Sequence, residues 1–239
     1  VPSNDLETFL FGGTKVLKVR FAMCIYHEAV RLSGVSAREA LALAVLPGFE
    51  RGHPFLRWFR ENPGSSELWP VKALDQLAVA ACDEELVTRL VAFPEDQGKG
   101  PEALELLRQT LSREATARPC VGERSAQRTI YHEAMLIPGL GDEVVVALGA
   151  LPGYEVRRTC LSWYGENPGS SPEWQVGLFD RLAQATCKAG GLSDQLRVLD
   201  PNPVNARAAV VSVSQALGLS LAACSTSPGS VKKPRCCCG

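Results

Sequence analysis

Ile25-Tyr26-His27-Glu28-Ala29 returns 105 residues later as Ile130-Tyr131-His132-Glu133-Ala134, and this recurrence limits the chain to folds that hold one unit twice. The same offset places Leu46-Pro47-Gly48 on Leu151-Pro152-Gly153 and Glu61-Asn62-Pro63-Gly64-Ser65-Ser66 on Glu166-Asn167-Pro168-Gly169-Ser170-Ser171. Cys82 falls on Cys187, and between 25–82 and 130–187 about 27 of 58 positions are identical without a gap. Residues 1–112 are read as the first unit, 113–124 as a linker, 125–224 as the second unit and 225–239 as a disordered tail. Each unit is long enough to fold alone, so one large core or two smaller ones are open.

The local patterns are helical. Thr14 can cap a helix to about Leu32, because Leu17, Phe21, Ile25, Ala29 and Leu32 recur at spacings of three and four. Ser36 and Glu39 form a capping box that opens a second helix, and in the other copy Asp142 can cap the run Val144 to Leu148. Pro47-Gly48 and Pro152-Gly153 are expected to end these helices, since proline lacks an N–H and glycine accepts positive φ. Pro54 opens a third helix carrying Leu56, Trp58 and Phe59, matched by Leu161, Trp163 and Tyr164. After each Asn-Pro-Gly turn, Ser66 and Ser171 can cap a helix beginning near Trp69 and Trp174. The four tryptophans are read as core anchors rather than a ligand cage. A fifth helix covers 101–111 in one unit and 203–223 in the other, and no segment alternates long enough to read as a strand. The expected fold is all-α: a tandem duplication of a four-to-five-helix unit, with two units packed about a pseudo-twofold or as a short helical solenoid.

Charge excludes one class of partner. Lys plus Arg number 25 against 26 Asp plus Glu, so a formal charge of -1 offers no global field for nucleic acid or an anionic membrane. Residues 208–224 are uncharged but too polar for a confident span, and a buried helix is the expectation. Val1 in place of Met suggests a fragment or processed product. Of nine cysteines, six lie scattered in the body without zinc-finger or CxxC spacing, so free thiols in a reducing, cytoplasmic setting are expected. The other three, Cys236, Cys237 and Cys238, follow Lys232-Lys233-Pro234-Arg235. They are lipidation candidates for reversible palmitoylation and peripheral membrane contact, or else an unselected tail or loose soft-metal site.

The repeated polar set is Tyr26, His27, Glu28, Glu61 and Asn62, with Tyr131, His132, Glu133, Glu166 and Asn167. Imidazole beside carboxylates is the material of a general base or metal site. Adjacent helical residues point about 100° apart, however, so His27 and Glu28 do not chelate together, and a metal-assisted hydrolase needs Glu61 as well. A structural account has the same residues bonding exposed backbone ends and fixing one helix on another. No cofactor or resident metal is called for, and the Gly-rich pieces lack a phosphate-loop ending. The expected function is a non-catalytic helical interaction or scaffold module presenting a groove to a protein or small ligand, with the hydrolase as the alternative.

Overall fold

The computed structural model describes residues 7–11, 14–18, 23–82, 85–94, 98–112, 126–157, 159–187 and 190–219. Two antiparallel strands, β1 (Glu7–Phe11) and β2 (Thr14–Lys18), precede the helices, with Glu7 opposite Lys18 and Phe11 opposite Thr14. The first half then holds α1 (Ile25–Val30), α2 (Ala37–Glu50), α3 (Phe55–Glu61), α4 (Trp69–Cys82), α5 (Glu85–Val91) and α6 (Gly100–Ser112). The second holds α7 (Ile130–Met135), α8 (Asp142–Arg157), α9 (Thr159–Glu166), α10 (Trp174–Thr186), α11 (Leu192–Arg197) and α12 (Pro203–Ala216). The body is all-helical, as its periodicity predicts.

A helix apolar on every side has to be surrounded, and α2 and α8 are of this kind. Every residue from Glu39 to Gly48 is buried, as is every residue from Val144 to Tyr154. These two helices cross at the molecular centre, and the buried apolar residues of both halves form one contiguous core rather than two. The Ser36 box is present: its hydroxyl accepts from the Glu39 N–H at 3.3 Å, and the Glu39 carboxylate accepts from the Ser36 N–H at 2.7 Å.

Several expectations are corrected. Pro47 and Pro152 lie inside α2 and α8 instead of ending them. Each proline forfeits one helical hydrogen bond, but the glycine after it lets two backbones meet where a side chain would hold them apart. A Cβ on Gly48 would lie 2.9 Å from Gly153 Cα, and a Cβ on Gly153 would lie 3.2 Å from Gly48 Cα. Gly48→Val should therefore cost about 3 kcal/mol, read as a shift in denaturant midpoint. Gly177→Ala inside α10, where an added Cβ meets only the end of Arg181 at 3.9 Å, should be neutral or stabilising by up to about 1 kcal/mol. Equal midpoints for the two variants would remove the close crossing as a determinant of stability.

The helix expected from Thr14 to Leu32 is a strand at 14–18 and a helix only from Ile25, where Cys24 is the extended N-cap residue. Pairing with β1 satisfies the backbone of so short a stretch as well as helical bonds would. Two short helices, α5 and α11, raise each half to six among the described residues. Trp69 and Trp174 stand at the first turns of α4 and α10 with 37% and 38% of their surface exposed, unlike buried Trp58 and Trp163. Ser66 and Ser171 accept from the N–H two residues on, at Leu68 and Glu173, in the turn before each helix rather than at its cap. Cys82 is engaged in a disulfide, which corrects its reading as a free thiol, whereas Cys24, Cys160 and Cys187 are free. No helix among the described residues is long and apolar enough to cross a membrane. The linker 113–124, the tail 225–239 and its Cys236, Cys237 and Cys238 lie outside the described residues.

Candidate binding site at the seam between the halves

The repeated histidines are the third residues of α1 and α7, the position from which a side chain can reach back to the residue before the helix. His27 Nδ1 accepts from the Cys24 backbone N–H at 3.1 Å, and His132 Nδ1 accepts from that of Thr129 at 2.8 Å. An imidazole thus does what glutamate does in an ordinary capping box. With Nδ1 accepting, the proton resides on Nε2, which donates across the seam. His27 Nε2 donates to the carbonyl of Cys160 at 3.2 Å, and His132 Nε2 donates to the carbonyl of Phe55 at 3.0 Å. Cys160 stands 105 residues after Phe55, so each half supplies the histidine and the other supplies the same carbonyl.

The rings are embedded in aromatics of the opposite half. His27 stacks on Trp163 at 4.6 Å and meets Tyr164 edge-on at 5.1 Å. His132 stacks on Phe55 at 4.7 Å and lies against Trp58 and Phe59. The imidazoles are 2% and 0% exposed. Burial lowers the pKa of His27 to about 4 and that of His132 to about 3, the accepting carbonyls opposing the shift. Both rings are neutral at physiological pH, and neither nitrogen is left for a metal or a substrate proton.

The other predicted residues separate from the histidines. The Tyr131 hydroxyl donates to Glu155 at 2.5 Å; burial and then this carboxylate hold its pKa well above the ordinary tyrosine range. Burial and Glu50, the counterpart of Glu155, do the same to Tyr26. Asn62 and Asn167 each donate a side-chain N–H back to the carbonyl of Trp58 or Trp163 at 2.8 Å, closing the third helix of each half before its turn. Glu61 lies at the surface and accepts from the Ala126 N–H at 3.0 Å, and Glu166 is exposed. The hydrolase geometry, in which Glu61 joins His27, is not formed. Among the described residues no group of three or more His, Cys, Asp or Glu could hold a metal ion. Cys160, beside the His27 contact, is an inert thiol, its pKa pushed up to about 12 by burial.

Glu28 and Glu133 share a sequence but not an environment. Glu133 is neutralised by Arg128, whose Nε lies 2.8 Å from Oε1. Arg128 has Met23 as its counterpart 105 residues earlier, and among the described residues no guanidinium pairs with Glu28. Glu28 Oε2 accepts from the Gly100 N–H at 3.1 Å, at the start of α6, while Oε1 has no hydrogen-bond partner although the residue is only 8% exposed. Gly100 is required there, because a Cβ would meet the Glu28 backbone at 3.0 Å. Arg31, one helical turn on, lies 5.9 Å over the Trp163 ring and donates to Met23 Sδ and the Ser170 carbonyl. Its Nε and the Ser170 hydroxyl also lack partners.

These groups border a cavity of about 410 Å³ at the seam, walled by Met23, Glu28, Arg31 and Leu32 from one half and by Ser170 to Pro172 of the Asn-Pro-Gly-Ser-Ser loop from the other. Sequence reasoning singled out Glu28 but missed Arg31, Ser170 and the carbonyls that receive the histidines. The signal for the first two was the exchange of Arg128 for Met23 at matched positions; the carbonyls leave none.

Fold and site together define an all-α protein whose two halves meet through exchanged, buried histidines and border an open groove at their junction. No protein-family model, curated protein or solved structure matches the chain.

Proposed function

We propose that the chain is a non-catalytic helical interaction module, a duplicated unit folded about a pseudo-twofold, which receives a small ligand in the groove between its halves. The reciprocal donation of His27 to Cys160 and of His132 to Phe55 supports the twofold, as does the contact of Gly48 with its own counterpart Gly153. A solenoid stack would join consecutive units through unlike faces.

The observation that carries the binding reading is the asymmetry of the glutamates: Glu133 pairs with Arg128, whereas Glu28, with Met23 at the matched position, borders the groove and keeps one carboxylate oxygen unpartnered. A buried carboxylate oxygen without a partner is costly, and Glu28 carries that cost in the wall of the groove. The histidines serve this function indirectly by locking the two walls, and their neutral, fully bonded state favours a scaffold over acid-base chemistry.

The test is a fragment screen on the whole chain by amide NMR. Binders should shift resonances of Met23, Glu28, Arg31 and Ser170 together and be recovered chemically unchanged. Hits confined to other surfaces, or a hit converted to product, would refute the module reading.

A further inference from the structure

We infer that His53 is a proton-operated latch on the His132 joint: the neutral ring holds the backbone N–H of Phe55, and the protonated ring releases that N–H and pairs with Glu155 across the seam. His53 is the third of the chain's three histidines, and Arg158 stands at the matched position of the second half, so the repeat contains one such group and not two. It lies in the turn between α2 and α3. Its Nδ1 accepts from the Phe55 N–H at 3.2 Å, which leaves the proton of the neutral ring on Nε2. Nε2 is 3.7 Å from Glu155 Oε2, too far for a hydrogen bond but within reach of an ion pair once the ring is charged.

Phe55 is where the latch meets the joint. Its carbonyl accepts from His132 at 3.0 Å, its ring stacks on that imidazole at 4.7 Å, and its N–H is one of the donors that the first turn of α3 leaves without a helical partner. One histidine therefore holds Phe55 by its oxygen and another by its nitrogen. They differ in their access to water: His132 is fully buried, whereas the side chains of His53 and Glu155 are 12% and 14% exposed, at the edge of the seam. An imidazolium carries a proton on both nitrogens and accepts no hydrogen bond, so a proton on Nδ1 and the Phe55 N–H exclude each other. Uptake is release. Glu155 faces the ring from α8 and already accepts the Tyr131 hydroxyl through Oε1, which leaves Oε2 for the charged ring. The other charged and titratable neighbours are engaged elsewhere. A charge on His53 opposes protonation of His132 in α7, and Arg197 of α11 acts on Tyr131. Glu50 and Arg51 at the end of α2 act on Tyr26 and His27 at the other joint, and Arg57 of α3 lies over the Phe49 ring.

Because one contact replaces another, the exchange is read locally at Phe55 and not from global stability. The test is an NMR titration of the isotope-labelled full chain between about pH 8 and about pH 5, the interval in which imidazoles ordinarily change charge. The Phe55 amide shift should follow the His53 ring with a single midpoint. Its hydrogen-exchange protection, corrected for the intrinsic pH dependence of exchange, should fall by about tenfold, as expected for the loss of one hydrogen bond. His53→Asn sets a carbonyl oxygen near the place of Nδ1 and does not titrate, so Phe55 should stay protected throughout. Glu155→Gln removes the waiting charge and should lower the midpoint by about half a pH unit. Unchanged protection of Phe55 while the His53 ring protonates would overturn the latch, as would a ring that stays neutral across the whole interval or the same response in His53→Asn. A midpoint unmoved by Glu155→Gln would overturn the exchange of partners. The titration of the unaltered chain decides the first of these even where a variant does not fold.

Discussion

Expressed separately, residues 23–112 and 126–219 should each fail to fold as a monomer, giving the circular dichroism and broad amide spectra of a largely unfolded chain. Mixing the two should restore the helical signal and a one-to-one complex. The expectation follows from where the core lies. The all-round apolar helices α2 and α8 are each other's main packing partner, so a lone half would expose the face of its most hydrophobic helix. Each half would also retain its aromatic pocket without the imidazole that fills it, and its imidazole without an acceptor. Burying a face such as Leu41, Val45 and Leu46 contributes about 1.5–3 kcal/mol per side chain, and domains are stable by only about 5–15 kcal/mol in total. Losing several such contacts at once exceeds the margin. Sedimentation and spectra of the separated halves decide the matter: a folded monomeric half would mean that the seam is an accessory contact between two self-sufficient domains.

The second large effect is a loss of stability in mild acid. A histidine whose folded pKa lies below its unfolded value of about 6.5 binds more protons when the chain unfolds. Its contribution is therefore complete above about pH 6.5 and declines as pH falls toward about 4 for His27 and about 3 for His132. At pH 5 each would have removed about 2 kcal/mol relative to pH 7, on the scale of about 1.4 kcal/mol per pH unit. Urea unfolding at these two pH values should show a combined drop of about 4 kcal/mol. Replacing both rings, His27→Phe with His132→Phe, keeps the stacking but removes the titration and two cross-seam bonds. That variant should be less stable at pH 7 by about 2 kcal/mol or more and nearly insensitive to pH between 5 and 7. Equal stability of the unaltered chain at the two pH values would show that the imidazoles are protonated, and solvated, in the folded protein.

Much of the fold could be read from spacing because the relevant forces are local. Ser36 and Glu39 formed their box, Pro54 preceded α3, and Gly64 and Gly169 took the positive φ of 64° that the Asn-Pro-Gly turn demands. Where spacing misled, a distant contact had decided the outcome. Pro47-Gly48 reads as a stop until another Pro-Gly packs against it, and Trp69 reads as core until the start of α4 is seen to lie at the surface. The short helices α5 and α11 span too few turns to print a stripe. The candidate site divided the same way. The histidines stood out as a repeated motif, but their acceptors are main-chain oxygens, which every residue possesses and no letter marks. The difference between the glutamates was present in Met23 and Arg128 and required only that the copies be compared at positions flanking the motif as well as within it.

The main-chain nature of those acceptors has a bearing on how the two copies could drift apart. Phe55 and Cys160 differ in size, shape and polarity, yet both hold the same partner through the same carbonyl. A fastening that reads the path of the backbone tolerates substitution in the side chain it fastens to. The copies could therefore diverge around their shared joint, one carrying an arginine beside its glutamate and the other a methionine, while the joint itself stayed shut.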